Sequence, residues 1–141
     1  MEKVKFSITL GSDYQTVPPR ARVTIADKKI FEGPVSADIL IIDPAELDND
    51  SDFQLRIELI DKIPEHTVLD EQGNIVKDSV LTIKKIIIED IEIQSNLSLD
   101  QEKFYYEHSG GKHQLYDSLG VNGTAVINFS TPFYIWLLET I

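Results

Sequence analysis

Phe53-Gln-Leu-Arg-Ile-Glu-Leu-Ile-Asp61 and Ser79-Val-Leu-Thr-Ile-Lys-Lys-Ile-Ile-Ile-Glu-Asp-Ile-Glu-Ile93 are two long strand-like runs. Between them lie Lys62-Ile-Pro-Glu-His66 and Thr67-Val-Leu-Asp-Glu-Gln-Gly-Asn-Ile-Val-Lys-Asp78, an acidic, Gly-containing excursion. In the first run Phe53, Leu55, Ile57 and Leu59 alternate with Gln54, Arg56 and Glu58, the period of a half-buried strand. In the second, Leu81 and Ile83 share a face, then Ile86 and Ile88, then Ile91 and Ile93. Each step of three turns the apolar set over unless a bulge or bend absorbs it. The run therefore predicts one long bent strand or two collinear ones, crossing between sheets. Within the excursion, residues 67–76 predict a small hairpin with Gln72-Gly73-Asn74 at its tip.

Strand signals continue on both sides. Val4, Phe6, Ile8 and Leu10 alternate with polar residues, and Gly11-Ser12-Asp13 reads as a break. Ala21, Val23 and Ile25 alternate as well, followed by a turn at Asp27-Lys28 and a short strand ending at Gly33-Pro34. Ile39-Leu-Ile-Ile42 predicts a strand buried on both faces, and residues 43–52 an acidic loop. Residues 94–121 read as irregular, Asn122-Gly123 as a turn, and Ala125, Ile127 and Phe129 as a strand. Thr131 suits an N-cap and Pro132 a first helical position. Phe133, Trp136, Leu137 and Thr140 then share a helical face, predicting a helix over about 132–140. About eight or nine short strands, many turns and a late helix predict an all-β fold. The expected architecture is a single antiparallel, jelly-roll-like β-sandwich over residues 1–141, with the short C-terminal α-helix packed on it.

A chain of 141 residues buries about 68–70% of its unfolded surface, enough for a self-sufficient core. There are no cysteines, so disulfides and zinc thiolates are excluded. Residues 1–6 read as the start of a strand rather than a signal-peptide apolar run. No apolar stretch reaches the ~18–20 residues that span a bilayer, so no membrane partner is expected. The net charge of −11 repels nucleic-acid phosphates and favours solubility and divalent cations.

Asp48-Asn-Asp-Ser-Asp52 has acidic residues at alternate positions, like the opening of a helix–loop–helix calcium loop. Phe53 then stands where Gly is required and Leu59 where the bidentate Glu belongs, so the segment reads as a solvated hairpin loop. In the excursion, Asp61, Glu65, Asp70 and Asp78 are candidate calcium ligands, since calcium takes six to eight oxygens. Lys62 and Lys77 offer the alternative of salt bridges to the same carboxylates. No nucleophile motif accompanies His66, His108 and His113, so no catalytic residue is expected and the chain reads as non-enzymatic. Tyr105, Tyr106 and Tyr116, in the irregular segment, are candidate contact residues for a sugar or a protein partner, and His66 joins them at the acidic loop.

Arg20 to Ile93 resembles the calcium-dependent, xylan-binding-like carbohydrate-binding modules. The matching features are Ala21-Arg-Val-Thr-Ile25, the strand ending Leu59-Ile-Asp61, His66-Thr-Val68, and Asp78-Ser-Val-Leu81 running into Ile88-Glu-Asp-Ile-Glu-Ile93. The resemblance implies calcium near the last two strands, with Asp61 and Asp78 at comparable places and Lys62 where another acidic residue is expected. The chain also resembles small proteins of tailed, cyanophage-like bacteriophages, through Asp70-Glu-Gln-Gly-Asn-Ile-Val76, Gly120-Val-Asn-Gly-Thr124 and Pro132-Phe-Tyr-Ile-Trp-Leu-Leu-Glu139. That likeness implies a virion module, made in the host cytoplasm, docking on many copies of capsid or tail proteins. The alternative is an adhesion module that binds host or environmental polysaccharide with the help of calcium.

Overall fold

The computed structural model describes residues 1–93 and 102–140. Two antiparallel sheets face each other across one core. The first holds β1 (Glu2–Tyr14), β4 (Ile39–Leu47), β8 (Ser79–Ile88), β9 (Ile91–Ile93) and β12 (Ser118–Leu119), in the order β12-β8-β1-β4 with β9 also on β8. The second holds β2 (Arg20–Ile25), β3 (Lys28–Pro34), β5 (Asp52–Ile60), β10 (Phe104–His108), β11 (Gly111–His113) and β13 (Gly123–Ser130), in the order β11-β10-β13-β5-β2-β3. A separate hairpin pairs β6 (Val68–Leu69) with β7 (Ile75–Lys77). The chain passes from sheet to sheet repeatedly, which is the jelly-roll-like antiparallel sandwich that the alternation predicts.

Alternation decides the core. Val4, Phe6, Ile8 and Leu10 of β1 face Leu55, Ile57 and Leu59 of β5 and Ala125, Ile127 and Phe129 of β13, all buried. The Phe6 and Phe129 rings meet between the sheets with centroids 5.5 Å apart. Each such buried side chain contributes roughly 1.5–3 kcal/mol relative to exposure. The helix α1 (Phe133–Thr140) closes one end, burying Phe133, Trp136 and Leu137 and leaving Tyr134, Ile135 and Leu138 exposed. No helix among the described residues is long and apolar enough to cross a membrane.

One local expectation holds and several are corrected. The first phase slip in 79–93 is a bulge: Thr9 pairs with Lys85 and Leu10 with Ile83, leaving Lys84 unpaired. The second is a hairpin, not a collinear strand or a crossing. Glu89 and Asp90 adopt φ of 51° and 64°, and β9 folds back antiparallel on β8. Two successive left-handed residues suit the twist of a two-residue hairpin. The β2–β3 turn likewise centres on Ala26 and Asp27, one residue earlier than expected. β1 does not break at Gly11, because β8 pairs with it as far as Tyr14. β4 runs on through Asp43 and Pro44 to Leu47. It is an edge strand, where a missing N–H is tolerated. Its outer face is uncovered, so Leu40 and Ile42 are exposed rather than buried. Residues 48–51 link the two sheets instead of closing a hairpin.

Thr131 does not cap the helix. Its hydroxyl donates to the Asp48 carbonyl at 2.6 Å and accepts from the Ser51 N–H at 3.2 Å, tying down that inter-sheet link. The helix start is served by Glu2, whose carboxylate accepts the Phe133 N–H at 2.9 Å.

Candidate functional site

One end of the sandwich gathers the close of β1, β5 and β12 and the start of β2, β8 and β13. The excursion predicted from the sequence sits there. Pro64–His66 form a single 3₁₀ turn, and the β6–β7 hairpin projects beyond it. Asp61 sits at φ 60°, a left-handed conformation that reverses the chain as it leaves β5. That reversal turns the next side chain, Lys62, inward.

Lys62 organises this end. Its ammonium donates to Asp78 Oδ1 at 2.6 Å, to the Ser79 carbonyl at 2.9 Å and to the Gly120 carbonyl. Its backbone is held as well. The Asn122 side chain accepts the Lys62 N–H at 2.9 Å and donates to the Lys62 carbonyl at 2.7 Å. Asn122 is thus a side-chain clasp rather than the central residue of a tight turn. Gly123 begins β13, and a Cβ there would meet the Glu107 carbonyl at 2.6 Å. Asp78 Oδ1 also accepts from the Thr67 hydroxyl and from the Ser79 N–H, both at 2.8 Å. Burial pushes the Asp78 carboxyl up, yet the bonds from Lys62, Thr67 and Ser79 outweigh it and hold the group below the usual carboxylate range.

The four candidate calcium ligands do not converge. Asp61 points to solvent and pairs with Arg20 at 3.3 Å. Asp70 closes its own turn, accepting the Asn74 and Gln72 N–H groups at 2.8 and 2.9 Å. Those bonds, led by the Asn74 N–H, hold its carboxyl below the usual range. Glu65 is exposed on the 3₁₀ turn, and Asp78 is engaged by Lys62. Among the described residues, no three His, Cys, Asp or Glu side chains are grouped to hold a metal ion. At Asp78 the donor set does not fit calcium at Oδ1, which the Lys62 ammonium, the Thr67 hydroxyl and the Ser79 N–H already occupy.

Of the candidate contact residues, His66 lies on the 3₁₀ turn of the excursion. Half-buried, it borders a cleft of about 330 Å³ with Val17, Pro19, Arg20, Leu59 and Asp61. Its carbonyl accepts from the Thr16 hydroxyl at 3.0 Å. Tyr105 and Tyr106 are corrected: both are buried, because β10 is a regular inner strand between β11 and β13. Tyr105 lies beneath the Lys112 ammonium, 4.4 Å from its ring centroid. Tyr106 is directed to the core, and its hydroxyl donates to the Val121 carbonyl. Tyr116 is exposed and borders a second cleft, of about 400 Å³, beside the bulge of β8. His108 and His113 stack with centroids 3.8 Å apart across the β10–β11 hairpin. Sequence reading missed Thr16, Arg20, Gly120 and Asn122, which lie far from the excursion in the chain. Pro18-Pro19 before a strand was the available signal, since a stiff segment at a strand start is suited to lining a fixed cleft.

No protein-family model matches the chain, and no curated protein matches it. Solved structures do match in fold. One is vCBM60 in complex with galactobiose, at TM-score 0.50 and 9% identity, covering 88% of this chain and 98% of that one. Another is the selenomethionine form of vCBM60, described with circular permutation as an evolutionary link between two families of calcium-dependent carbohydrate-binding modules. It matches at TM-score 0.52 and 8% identity, covering 88% of this chain and 89% of that one. The fold is that of a carbohydrate-binding-module-like β-sandwich.

Proposed function

We propose that the protein is a non-enzymatic carbohydrate-binding module whose ligand site is the cleft bordered by Arg20, Asp61 and His66. The observation that carries this reading is the make-up of that cleft. Its lining is overwhelmingly apolar, from Val17, Pro19, Leu59 and Ile60, and Arg20, Asp61 and His66 are among the residues that border it. A sugar ring has C–H faces to lay on such a floor, and its hydroxyls would reach the neighbouring Arg20 and Asp61. The volume of about 330 Å³ is at the small end for ligand sites and suits one or two sugar units. The fold likeness to a galactobiose complex supports the ligand class. Docking on virion proteins, and the phage origin behind it, rest on the sequence resemblance alone. The test is binding to galactan- and xylan-derived oligosaccharides, with Asp61→Ala and Arg20→Ala each weakening it by roughly tenfold or more. Unchanged binding in both variants would place any sugar site elsewhere.

A further inference from the structure

Lys62 is held in a way that surface lysines are not. Its side chain is 9% exposed. An ammonium has three N–H donors, and here all three meet oxygen: one carboxylate and two backbone carbonyls. The oxygens come from two separate segments, 78–79 and 120, and the Asn122 clasp fixes the backbone from a neighbouring position. Carboxylate and carbonyl oxygens converging on one point are the donor set of a hard divalent cation. The point is occupied by a charge covalently attached to the chain. Asp78 balances that charge, and its Oδ1 takes two further donors from Thr67 and Ser79.

We propose that the Lys62 ammonium is the resident cation of this end of the sandwich, so that the loops 61–67, 78–79 and 120–122 are held together without a metal ion. A second positive charge within bonding distance of Asp78 Oδ1 would face the ammonium directly. Calcium is therefore excluded from the position where the donor oxygens meet. The loops that border the cleft are assembled whether or not calcium is present. This inference stands on the cage itself, not on the glycan reading, and either can fail alone.

The experiment is thermal unfolding of the wild-type protein, of Lys62→Met and of Asp78→Asn, each in millimolar calcium and in chelator. Met keeps the stem of the side chain and removes the charge. The wild type is expected to melt at the same temperature in both conditions. Lys62→Met is expected to melt lower by roughly 6–9 °C, as loss of one partner of a nearly buried pair implies. A calcium-dependent rise in the wild type that Asp78→Asn abolishes would overturn the proposal, because a ligand of the native state raises its melting point by mass action and that dependence would place it at Asp78. So would a Lys62→Met protein that melts like the wild type. Should Lys62→Met not fold, the wild type and Asp78→Asn still decide the matter, since a calcium response that depends on Asp78 is incompatible with a resident ammonium there.

Discussion

Lys62 Nζ and Asp78 Oδ1 stand 2.6 Å apart and join the two ends of the acidic excursion that separates β5 from β8. The hairpin between them is left outside, with Val68, Leu69, Ile75 and Val76 all exposed. The excursion is thus a projecting hairpin on a pinned base. The base belongs to the sandwich end, and the cleft with Arg20 and His66 lies against it.

Asp61 and Asp78 should behave oppositely on substitution. Asp61→Asn removes an exposed pair with Arg20, in which the side chains are 69% and 42% accessible, and exposed pairs are worth about 0–1 kcal/mol. Asp78→Ala strands the Lys62 ammonium and is expected to cost about 2–4 kcal/mol. Urea unfolding measures both. Equal effects would mean that the Lys62–Asp78 contact does not anchor the excursion.

The acid limb of stability has a defined sign. Asp70 and Asp78 both have folded-state pKa values lowered from 3.8. Above that value both states are ionised and the stabilisation is fully present. It is lost as pH falls from about 3.8 through the folded-state values, where the unfolded chain binds protons first. Melting temperatures between pH 2 and 6 should fall below about pH 4, and Asp78→Asn should flatten that fall. An identical acid limb in Asp78→Asn would remove Asp78 from the account.

Glu2 should matter to a helix more than a hundred residues away. Its carboxylate accepts the Phe133 N–H, which combines a cap with a charge at the helix start. Glu2→Ala is expected to cost about 1 kcal/mol. Amide exchange in residues 133–137 should rise selectively, and a uniform rise across β1 would instead indicate a sheet effect.

Two nearby glycines should differ. At Gly123 a Cβ meets the Glu107 carbonyl at 2.6 Å and Tyr106 at 2.8 Å, whereas at Gly120 nothing lies within 4 Å. Gly123→Ala should destabilise by about 1–3 kcal/mol. Gly120→Ala should change little. Chemical denaturation of the two variants side by side checks the contrast.

The strands were legible because alternation is a local signal. Val4 to Leu10, Phe53 to Leu59 and Ala125 to Phe129 each announce a buried face in the chain itself. The register slip at Ile83/Ile86 announced the bulge, and Phe133, Trp136 and Leu137 the buried helix face. The bare outer face of β4 was not legible, since nothing in Ile39–Ile42 says that no second layer covers Leu40 and Ile42. Tyr105 and Tyr106 misled because Ser109-Gly110-Gly111 just after them made a regular inner strand look like a loop. The excursion was found, but its chemistry was not. The carboxylates were visible, while the carbonyls of Ser79 and Gly120 and the clasp from Asn122 depend on tertiary placement. The competition from Lys62 was visible in sequence, and the structure places its ammonium on Asp78.

The most direct measurement is an amide NMR titration of the ¹⁵N-labelled protein with galactobiose and with a xylan-derived oligosaccharide. Saturable shifts at Arg20, Asp61, His66 and their neighbours, with either sugar and in the presence of chelator, are the predicted result. No shifts with either sugar, or shifts confined to the cleft at Tyr116, would contradict a glycan site at this end of the sandwich.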